Sequence, residues 1–217
     1  MRAMSTTIPA NARLGAGIVA LVGLAGLLIQ LSVSWGMAGS LTGALWSMLR
    51  FFTIIGNGLA VLLMAAVAWG SAQAFKASRV GGIAVVMGLI GVVFVTLLRN
   101  TEHLTGAAQI ANILLHYVMP PLVVLYWLVF APKGELSRFD PLRWAILPLA
   151  YFPYALARAA ADGKYAYPFI DAGQLGWPQV LTNASVIALG FVLSGYLVVW
   201  LDRAMSRGTA VLADDAP

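Results

Sequence analysis

The sequence has no cysteine and very little charge. Its 217 residues include two histidines, and only 10% are Asp, Glu, Lys or Arg. The absence of cysteine excludes disulfides, iron–sulfur clusters, thiolate zinc sites and a cysteine nucleophile. Two histidines are too few for a pair of bis-histidine haems, and a histidine-rich metal site would lack ligands. We therefore expect a protein that works without a metal ion or other cofactor.

Apolar residues take the place of the missing charge. They make up 61% of the chain, whereas an ordinary soluble domain is about 45–50% apolar and about 25% charged. The polar surface is too small to cover a core in water, so the composition predicts a membrane protein. The apolar stretches leave no room for a separate soluble domain. We expect one membrane domain over residues 1–205 and a flexible tail over 206–217.

Six apolar stretches predict an all-α protein with six transmembrane helices. Each approaches the roughly 20 residues that one crossing requires. They lie at about residues 14–34, 48–70, 80–98, 110–131, 142–160 and 181–201. Pro148 and Pro153 interrupt the fifth stretch, which we interpret as a kinked span within a bundle.

The basic residues predict the orientation of these spans. Of the 13 Lys and Arg residues, those on the side of both termini outnumber those on the other side, so both termini should be cytoplasmic. We expect a multi-pass integral membrane protein. The net charge of +5 is spread over short loops and forms no continuous basic face, which excludes a nucleic-acid partner.

Two polar stripes lie within this apolar background. Arg50, Thr53 and Asn57 are three and four residues apart in the second span, and Asn112 and His116 are four apart in the fourth. Residues at these spacings share one face of a helix. By residue count, Thr53 and His116 both lie about 8–9 Å below the outer boundary. We expect their side chains to meet between the two spans.

A hydroxyl beside a neutral imidazole is the minimum set of groups for covalent acyl transfer. The imidazole accepts the proton while the hydroxyl attacks a carbonyl, and then returns it to the leaving group. Arg50 is placed to bind a carboxylate or oxyanion, and Asn57 to donate a hydrogen bond there. Because these spans contain no carboxylate, a group that orients the imidazole must come from an outer loop, where Asp171 and Glu102 are the candidates.

Two other functions fit the same stripes. Threonine near a helix end often bonds a carbonyl one turn back, and a single intramembrane histidine often bridges two helices. The first alternative is a lipid-binding or transport protein without catalytic activity. The second is a structural membrane protein whose polar groups join helices.

Three segments resemble a known family. They are RFFT at 50–53, HYVMPP at 116–121 and GKYAYPFID at 163–171. They are similar to segments of bacterial six-helix membrane proteins related to the animal androgen-induced protein family, and the similarity covers about residues 45–203. The Tyr-Pro-Phe-x-acid segment is the most specific. The chain departs from the family pattern at Tyr117, where a small hydroxyl residue is usual, and at Asn57, which lies one position later than its counterpart.

The resemblance implies an activity. Animal members of that family are intramembrane hydrolases of fatty-acid esters of hydroxy fatty acids and use a threonine and a histidine, which match Thr53 and His116. It also implies roles for Arg50 before the threonine and for Asp171. The leading prediction is therefore a lipid-ester hydrolase, with substrate contacts from the polar residues Arg50, Asn57, Asn112, Arg158, Tyr165, Tyr167 and Asp171.

Overall fold

The structure is a computed structural model that describes residues 7–100 and 103–214, with side chains as far as Arg207. Regular structure within these residues is helical throughout, so the all-α prediction is confirmed for them. In chain order the helices are α1 Ala10–Ala38, α2 Leu41–Met48, α3 Phe52–Ala68, α4 Ala77–Val93, α5 Gly106–Asn112, α6 Met119–Phe130, α7 Asp140–Asp162, α8 Ala172–Leu175 and α9 Trp177–Asp214. Two π-helical turns interrupt the series: Phe94–Leu98 continues α4, and Ile113–Val118 joins α5 to α6.

Four helical segments in the described chain are long and apolar enough to cross a membrane. They are Ala10–Ala38, Ala77–Leu98, Gly106–Phe130 and Trp177–Arg207. Helices α2 and α3 reach the same standard only as a pair, with a bend of 99° between them, and would make a fifth span. These helices fit a multi-pass membrane protein.

Helix α7, which corresponds to the fifth predicted span, is not among these candidates. It is the least apolar of the long helices and contains Pro148 and Pro153. Arg143, Arg158 and its tyrosines lower its hydropathy further. The structure therefore supports four or five of the six predicted crossings on length and composition.

Two helix boundaries differ from the predicted ones. Helix α3 begins at Phe52 rather than at 48, because the chain turns sharply at residues 49–51. Helix α9 continues to Asp214, past the predicted domain boundary at 205, and after Pro178 in its first turn it contains no proline. The flexibility predicted for 206–217 stays a prediction, and residues 215–217 lie outside the described chain.

The long helices alternate in direction and pack side by side. Helix α1 packs against α3, α5 and α6, α4 packs against α3, α6 and α9, and α7 packs against α9. We call the end that carries the connections 39–51, 99–105 and 163–176 the site end. The end with the connections 69–76 and 131–139 is the opposite end.

Glycines allow close contacts between the helices. A Cβ atom on Gly23 of α1 would lie 2.6 Å from Cγ2 of Val61 in α3, and one on Gly56 of α3 would lie 2.5 Å from Cδ1 of Ile90 in α4. Real Cβ contacts are not this short, so a larger residue at either position would push the helices apart. Helix α3, which carries Thr53, is thereby held between α1 and α4.

Candidate active site

The bend between α2 and α3 determines where the site begins. The last carbonyl groups of a helix have no partner within it, and here side chains of α7 donate hydrogen bonds to the carbonyl groups of the bend. The pairs are Arg158 with Trp46, Tyr154 with Leu49 at 2.9 Å, and Tyr151 with Arg50 at 2.7 Å. Contacts more than 100 residues apart in the chain therefore fix the start of α3.

Thr53 lies in the first turn of α3, and its side chain is buried. Its backbone N–H is one of the groups that a helix start leaves without an intrahelical partner, and it donates to the Tyr167 hydroxyl at 3.4 Å. The positive end of the helix dipole lies at this position and favours negative charge. A charge that develops near Thr53 would therefore be stabilised by the backbone of α3.

His116 lies in the π-helical turn Ile113–Val118. Pro120 and Pro121 have no N–H, so the turn before them cannot complete the ordinary α-helical hydrogen bonds. The N–H of Met119 bonds the carbonyl of Leu114, five residues back, rather than that of Leu115. Single π-helical turns occur frequently at functional sites, and this one carries the imidazole.

The imidazole of His116 connects a carbonyl to the Thr53 hydroxyl. Its Nδ1 lies 3.2 Å from the backbone oxygen of Asn112, and its Nε2 lies 3.2 Å from Oγ1 of Thr53. A carbonyl only accepts, so Nδ1 carries the proton and Nε2 is free to accept from the hydroxyl. The ring stacks on Phe94, with centroids 4.1 Å apart. The sequence predicted that the two side chains meet, and the structure brings them together.

Thr53 and His116 meet for a different reason from the predicted one. Thr53 is the second residue of α3, whereas His116 lies ten residues after the start of α5 at Gly106. The two residues are thus not at equal distances from their helix starts. They lie at the same level because α3, which starts after the bend at 49–51, begins deeper in the bundle than α5 does. The predicted common helical face of Arg50, Thr53 and Asn57 is absent, since Arg50 lies in that bend.

Asn57 joins the two segments that carry the pair. It is fully buried, and its Nδ2 donates to the backbone oxygens of Thr53 at 2.9 Å and Leu115 at 3.3 Å. The second of these is the carbonyl that the π-helical turn leaves unpaired. Its Oδ1 has no hydrogen-bond partner. The Nδ2 donors of Asn57 are thus already used on the backbone. Its predicted role in substrate binding stays a prediction.

Arg50 is paired with a carboxylate of the protein. Its guanidinium contacts both oxygens of Asp162, at 2.9 and 2.6 Å, and also donates to the backbone oxygen of Lys164. Gly163, with φ +72°, ends α7 and turns the chain so that both acceptors face Arg50. The Arg50 guanidinium holds the pKa of the Asp162 carboxyl well below its usual value. Binding of a substrate carboxylate by Arg50 stays a prediction.

Arg158 and Asn112 occupy supporting positions. The guanidinium of Arg158 stacks 3.6 Å from the ring centre of Trp46, donates to the Tyr154 hydroxyl at 2.8 Å and is buried. Its Nε has no partner. Asn112 contributes its backbone oxygen to His116. The substrate contacts predicted for these two side chains stay predictions.

The 163–176 connection covers the site. The ring of Tyr167 stacks on Phe169 at 5.0 Å, and burial raises the pKa of its hydroxyl. Tyr165 packs against a small cluster that includes Ala166 and Ile170. The Asp171 carboxylate accepts the N–H groups of residues 173 and 174 and so caps α8. The carbonyl of residue 112, not Asp171, therefore bonds the imidazole, and the other candidate, Glu102, lies outside the described residues.

A cavity of about 300 Å³ lies beside Thr53, between α3, α4, α7 and α9. Its wall is almost entirely aliphatic and aromatic. The hydroxyl-bearing residues in the wall are Thr53, Ser185, Tyr151 and Tyr167. His116 is not among the lining residues, and its contact with the cavity wall is through Thr53 Oγ1. This volume is at the lower end of the range of about 300–1,000 Å³ that is typical of ligand pockets.

Sequence reasoning missed Asp162, Tyr151 and Phe94. Asp162 had a signal, because it and Arg50 are opposite charges predicted at the same end of neighbouring spans. Tyr151 and Phe94 had none, since aromatic residues in apolar spans are common. Comparisons with family models, with curated proteins and with solved structures found no match to this chain.

Proposed function

We propose that this protein is an intramembrane hydrolase of lipid esters with Thr53 as nucleophile and His116 as general base and acid. One observation carries the proposal. Thr53 lines an apolar cavity, and Nε2 of His116, which is not among the lining residues, lies 3.2 Å from the Thr53 hydroxyl oxygen. A hydroxyl beside a substrate-sized space with a base in hydrogen-bond reach is what nucleophilic catalysis requires.

The reaction proceeds in two halves. The Thr53 oxygen attacks the ester carbonyl carbon while its proton passes to Nε2 of His116. The tetrahedral intermediate then collapses, and the alcohol leaves with that proton, so that the acyl group remains on Thr53. A water molecule next gives a proton to Nε2 and attacks the acyl carbonyl. Thr53 leaves with the proton, and a fatty acid is released.

The groups around Thr53 support stabilisation of the oxyanion. The Thr53 N–H at the start of α3 and the Tyr167 hydroxyl lie together beside Oγ1. The raised pKa of Tyr167 keeps its hydroxyl protonated, so it can donate to a developing negative charge. Preorganised donors of this kind are often the largest single contribution to catalysis. Arg50 and Asn57 then act as positioning residues for this turn of the chain.

The proposal includes the full topology. Helix α7 is the fifth of six spans, kinked at its prolines, and both termini face the cytoplasm in a bacterial inner membrane. The alternation of helix direction and the excess of basic residues on the opposite end support it. The site end, with Thr53, then lies at the outer leaflet. The substrate is a long-chain fatty-acyl ester, in accord with the apolar wall and with the family resemblance, and no metal or cofactor takes part.

The test is turnover of a panel of fatty-acyl esters by the purified protein. Thr53→Ala and His116→Ala should each lower turnover by at least about 10²-fold, the usual minimum for a lost acid–base group. Ser185→Ala is the matched control, because it removes another hydroxyl from the same cavity wall. A fluorophosphonate should label Thr53 in the wild type and not in His116→Ala. Equal turnover in all four proteins would disprove the mechanism.

A second candidate is a lipid-binding or transport protein without catalytic activity. Two observations favour it. The polar groups of Arg50 and Asn57 are already bonded within the protein, and the cavity wall is mostly apolar. Lipid binding that survives Thr53→Ala, in a protein that shows neither turnover nor fluorophosphonate labelling, would favour it.

A further inference from the structure

A second cavity of about 520 Å³ lies next to the one at Thr53. It is bounded by the end of the π-helical turn Phe94–Leu98, by Pro168 and Phe169, by Leu175 and by the first half of α9. Leu98, Phe169 and Ile187 line both cavities. These three side chains therefore form a common wall between the Thr53 cavity and a space at the side of the helix bundle.

The approach to Thr53 from the loops of the site end is covered. Tyr167 lies edge-on to Phe51, with centroids 5.9 Å apart, and it stacks on Phe169. Its hydroxyl bonds the N–H of Thr53. Below it, Tyr151 is bonded to the carbonyl of Arg50. A substrate from the aqueous side would have to displace this aromatic layer.

The side of the second cavity is different. Val186 and Leu97, which line it, are 64% and 51% exposed. Both belong to helical segments long and apolar enough to cross a membrane, where exposed aliphatic side chains face hydrocarbon. Among the described residues, Gln179 and Asn183 alone add polar side chains to its lining. Asn183 donates to the backbone oxygen of Phe169, and Gln179 donates to Asn183, so these amides lie near the loop.

The π-helical turn connects this side to the catalytic pair. Phe94, at its beginning, stacks on His116, whereas Leu97 and Leu98, at its end, line the second cavity. Its i to i+5 hydrogen bonds are a local departure from α-helical geometry, and such segments often lie at functional sites. A displacement of Leu98 would open the common wall without moving the loop that covers Thr53.

We propose that the substrate reaches Thr53 sideways from the bilayer, through a portal between the turn Phe94–Leu98 and α9 that is closed by Leu98, Phe169 and Ile187. The portal selects membrane-resident long-chain esters over water-soluble ones. The substrate class rests on the proposed function, whereas the route itself depends only on the two cavities. Failures of the two proposals can therefore be distinguished.

The absence of cysteine makes the route directly measurable. Ala184→Cys places one thiol in the wall of the Thr53 cavity. In lipid vesicles, the apolar reagent N-cyclohexylmaleimide should label it faster than a charged methanethiosulfonate. Adding Ile187→Trp should slow labelling by the apolar reagent severalfold, because the larger ring fills the common wall. Ile187→Ala should accelerate it. Leu189→Trp, on a 61% exposed position of the same helix that lines neither cavity, is the control.

Each result decides the route. Equal labelling rates with isoleucine, tryptophan or alanine at position 187 would overturn the proposed portal. Faster labelling by the charged reagent than by the apolar one would also overturn it.

Turnover then tests substrate selection. Ile187→Trp should lower kcat/KM severalfold more for an oleoyl ester of a long-chain alcohol in phosphatidylcholine vesicles than for p-nitrophenyl butyrate. An equal loss for both esters would contradict selection by the portal. If Thr53→Ala has wild-type turnover, the proposed hydrolase is wrong, and the labelling rates still decide the route.

Discussion

The two ends of the helix bundle use their buried polar groups differently. At the opposite end, carboxylates bind backbone N–H groups: Asp202 accepts those of Gly134 and Leu136, and Asp140 accepts that of Ser137. Lys133 also donates to the carbonyls of Trp127 and Ala131 there. At the site end, Asp171 likewise accepts backbone N–H groups, but the buried polar side chains are mostly donors that bind the backbone carbonyls of the bend and of the π-helical turn. The donors there are Tyr151, Tyr154 and Arg158 from α7 and Asn57 from α3.

The difference follows from where helices begin and end. The backbone N–H groups at and before the start of a helix have no partner within the helix. A carboxylate can accept hydrogen bonds from them. The site end has a broken helix and a π-helical turn, and both leave carbonyls without partners. Donors from distant helices satisfy these carbonyls, and in doing so they hold Thr53 beside His116. Both ends are held by contacts between residues far apart in the chain, but only those of the site end hold Thr53 beside His116.

The largest effect that tests this comparison is expected at Tyr167. Tyr167→Phe removes the hydroxyl beside the Thr53 N–H and keeps the stacking on Phe169. Turnover should fall by about 10²-fold, as for the loss of one oxyanion donor, while the thermal midpoint in detergent changes little. Tyr196→Phe, on an exposed position of α9, is the control. Unchanged kcat in Tyr167→Phe would show that the hydroxyl has no part in catalysis.

The second prediction compares one polar residue from each end. Asn57→Ala and Asp202→Ala each remove a fully buried side chain with two hydrogen bonds to the backbone. Each should lower the free energy of unfolding by about 1–3 kcal/mol, because the backbone groups lose their partners. Only Asn57→Ala should also lower turnover, since only that residue joins the segments carrying Thr53 and His116.

Denaturation in mixed micelles measures the first quantity and ester hydrolysis the second. Equal loss of turnover in both variants would mean that general destabilisation, rather than site geometry, controls activity.

The third prediction concerns packing around α3. Gly56→Ala places a Cβ 2.5 Å from Cδ1 of Ile90 and 3.3 Å from Cγ1 of Val86, so these side chains must move or α3 and α4 must separate. Overpacking of this kind costs about 1–3 kcal/mol, and turnover should fall because Thr53 lies one turn away. Gly88→Ala is the matched control, since its Cβ meets no atom within 4 Å, and it should be neutral or slightly stabilising. Equal thermal midpoints for both variants would contradict this packing.

The smallest expected effect is the pH dependence of the Arg50–Asp162 pair. Arg50 lowers the pKa of Asp162 in the folded state. The pair therefore stabilises the fold above the unfolded-state pKa of about 3.9, and its contribution declines below that value and is lost as pH falls through the folded-state pKa. The difference in thermal midpoint between wild type and Asp162→Asn should be constant from pH 7 to about 5 and shrink in more acid solution. A constant difference down to pH 3 would contradict it.

The helical class and most helix positions could be predicted from residue types. Long apolar runs with little charge leave few alternatives to membrane-spanning helices, and four runs became helices of sufficient length. The second and fifth runs could not be assigned as securely. One is broken by a bend that depends on donors from α7, and the other combines prolines and arginines whose partners, such as Trp46, lie far away in sequence.

The site could be predicted in part. Spacing within a helix suggested that Thr53 and His116 face one another, and the structure places their reactive atoms 3.2 Å apart. The assumed regular helix through Arg50 does not exist, so the partner of Arg50 could not be deduced from spacing. Asp162, the last residue of α7, lies 112 residues from Arg50, and only the packing of the helices brings the two together.

The sequence by itself determined that the protein is apolar, helical, free of cysteine and provided with a few polar groups in long apolar segments. These properties follow from composition and local spacing, which act over one or two helical turns. Only the tertiary structure decided that Thr53 lines a cavity, that His116 contacts Thr53, and that Asn57 and Arg50 are bonded within the protein. The carbonyls left free by the bend and by the π-helical turn are bonded to donors 58 to 112 residues away in the chain.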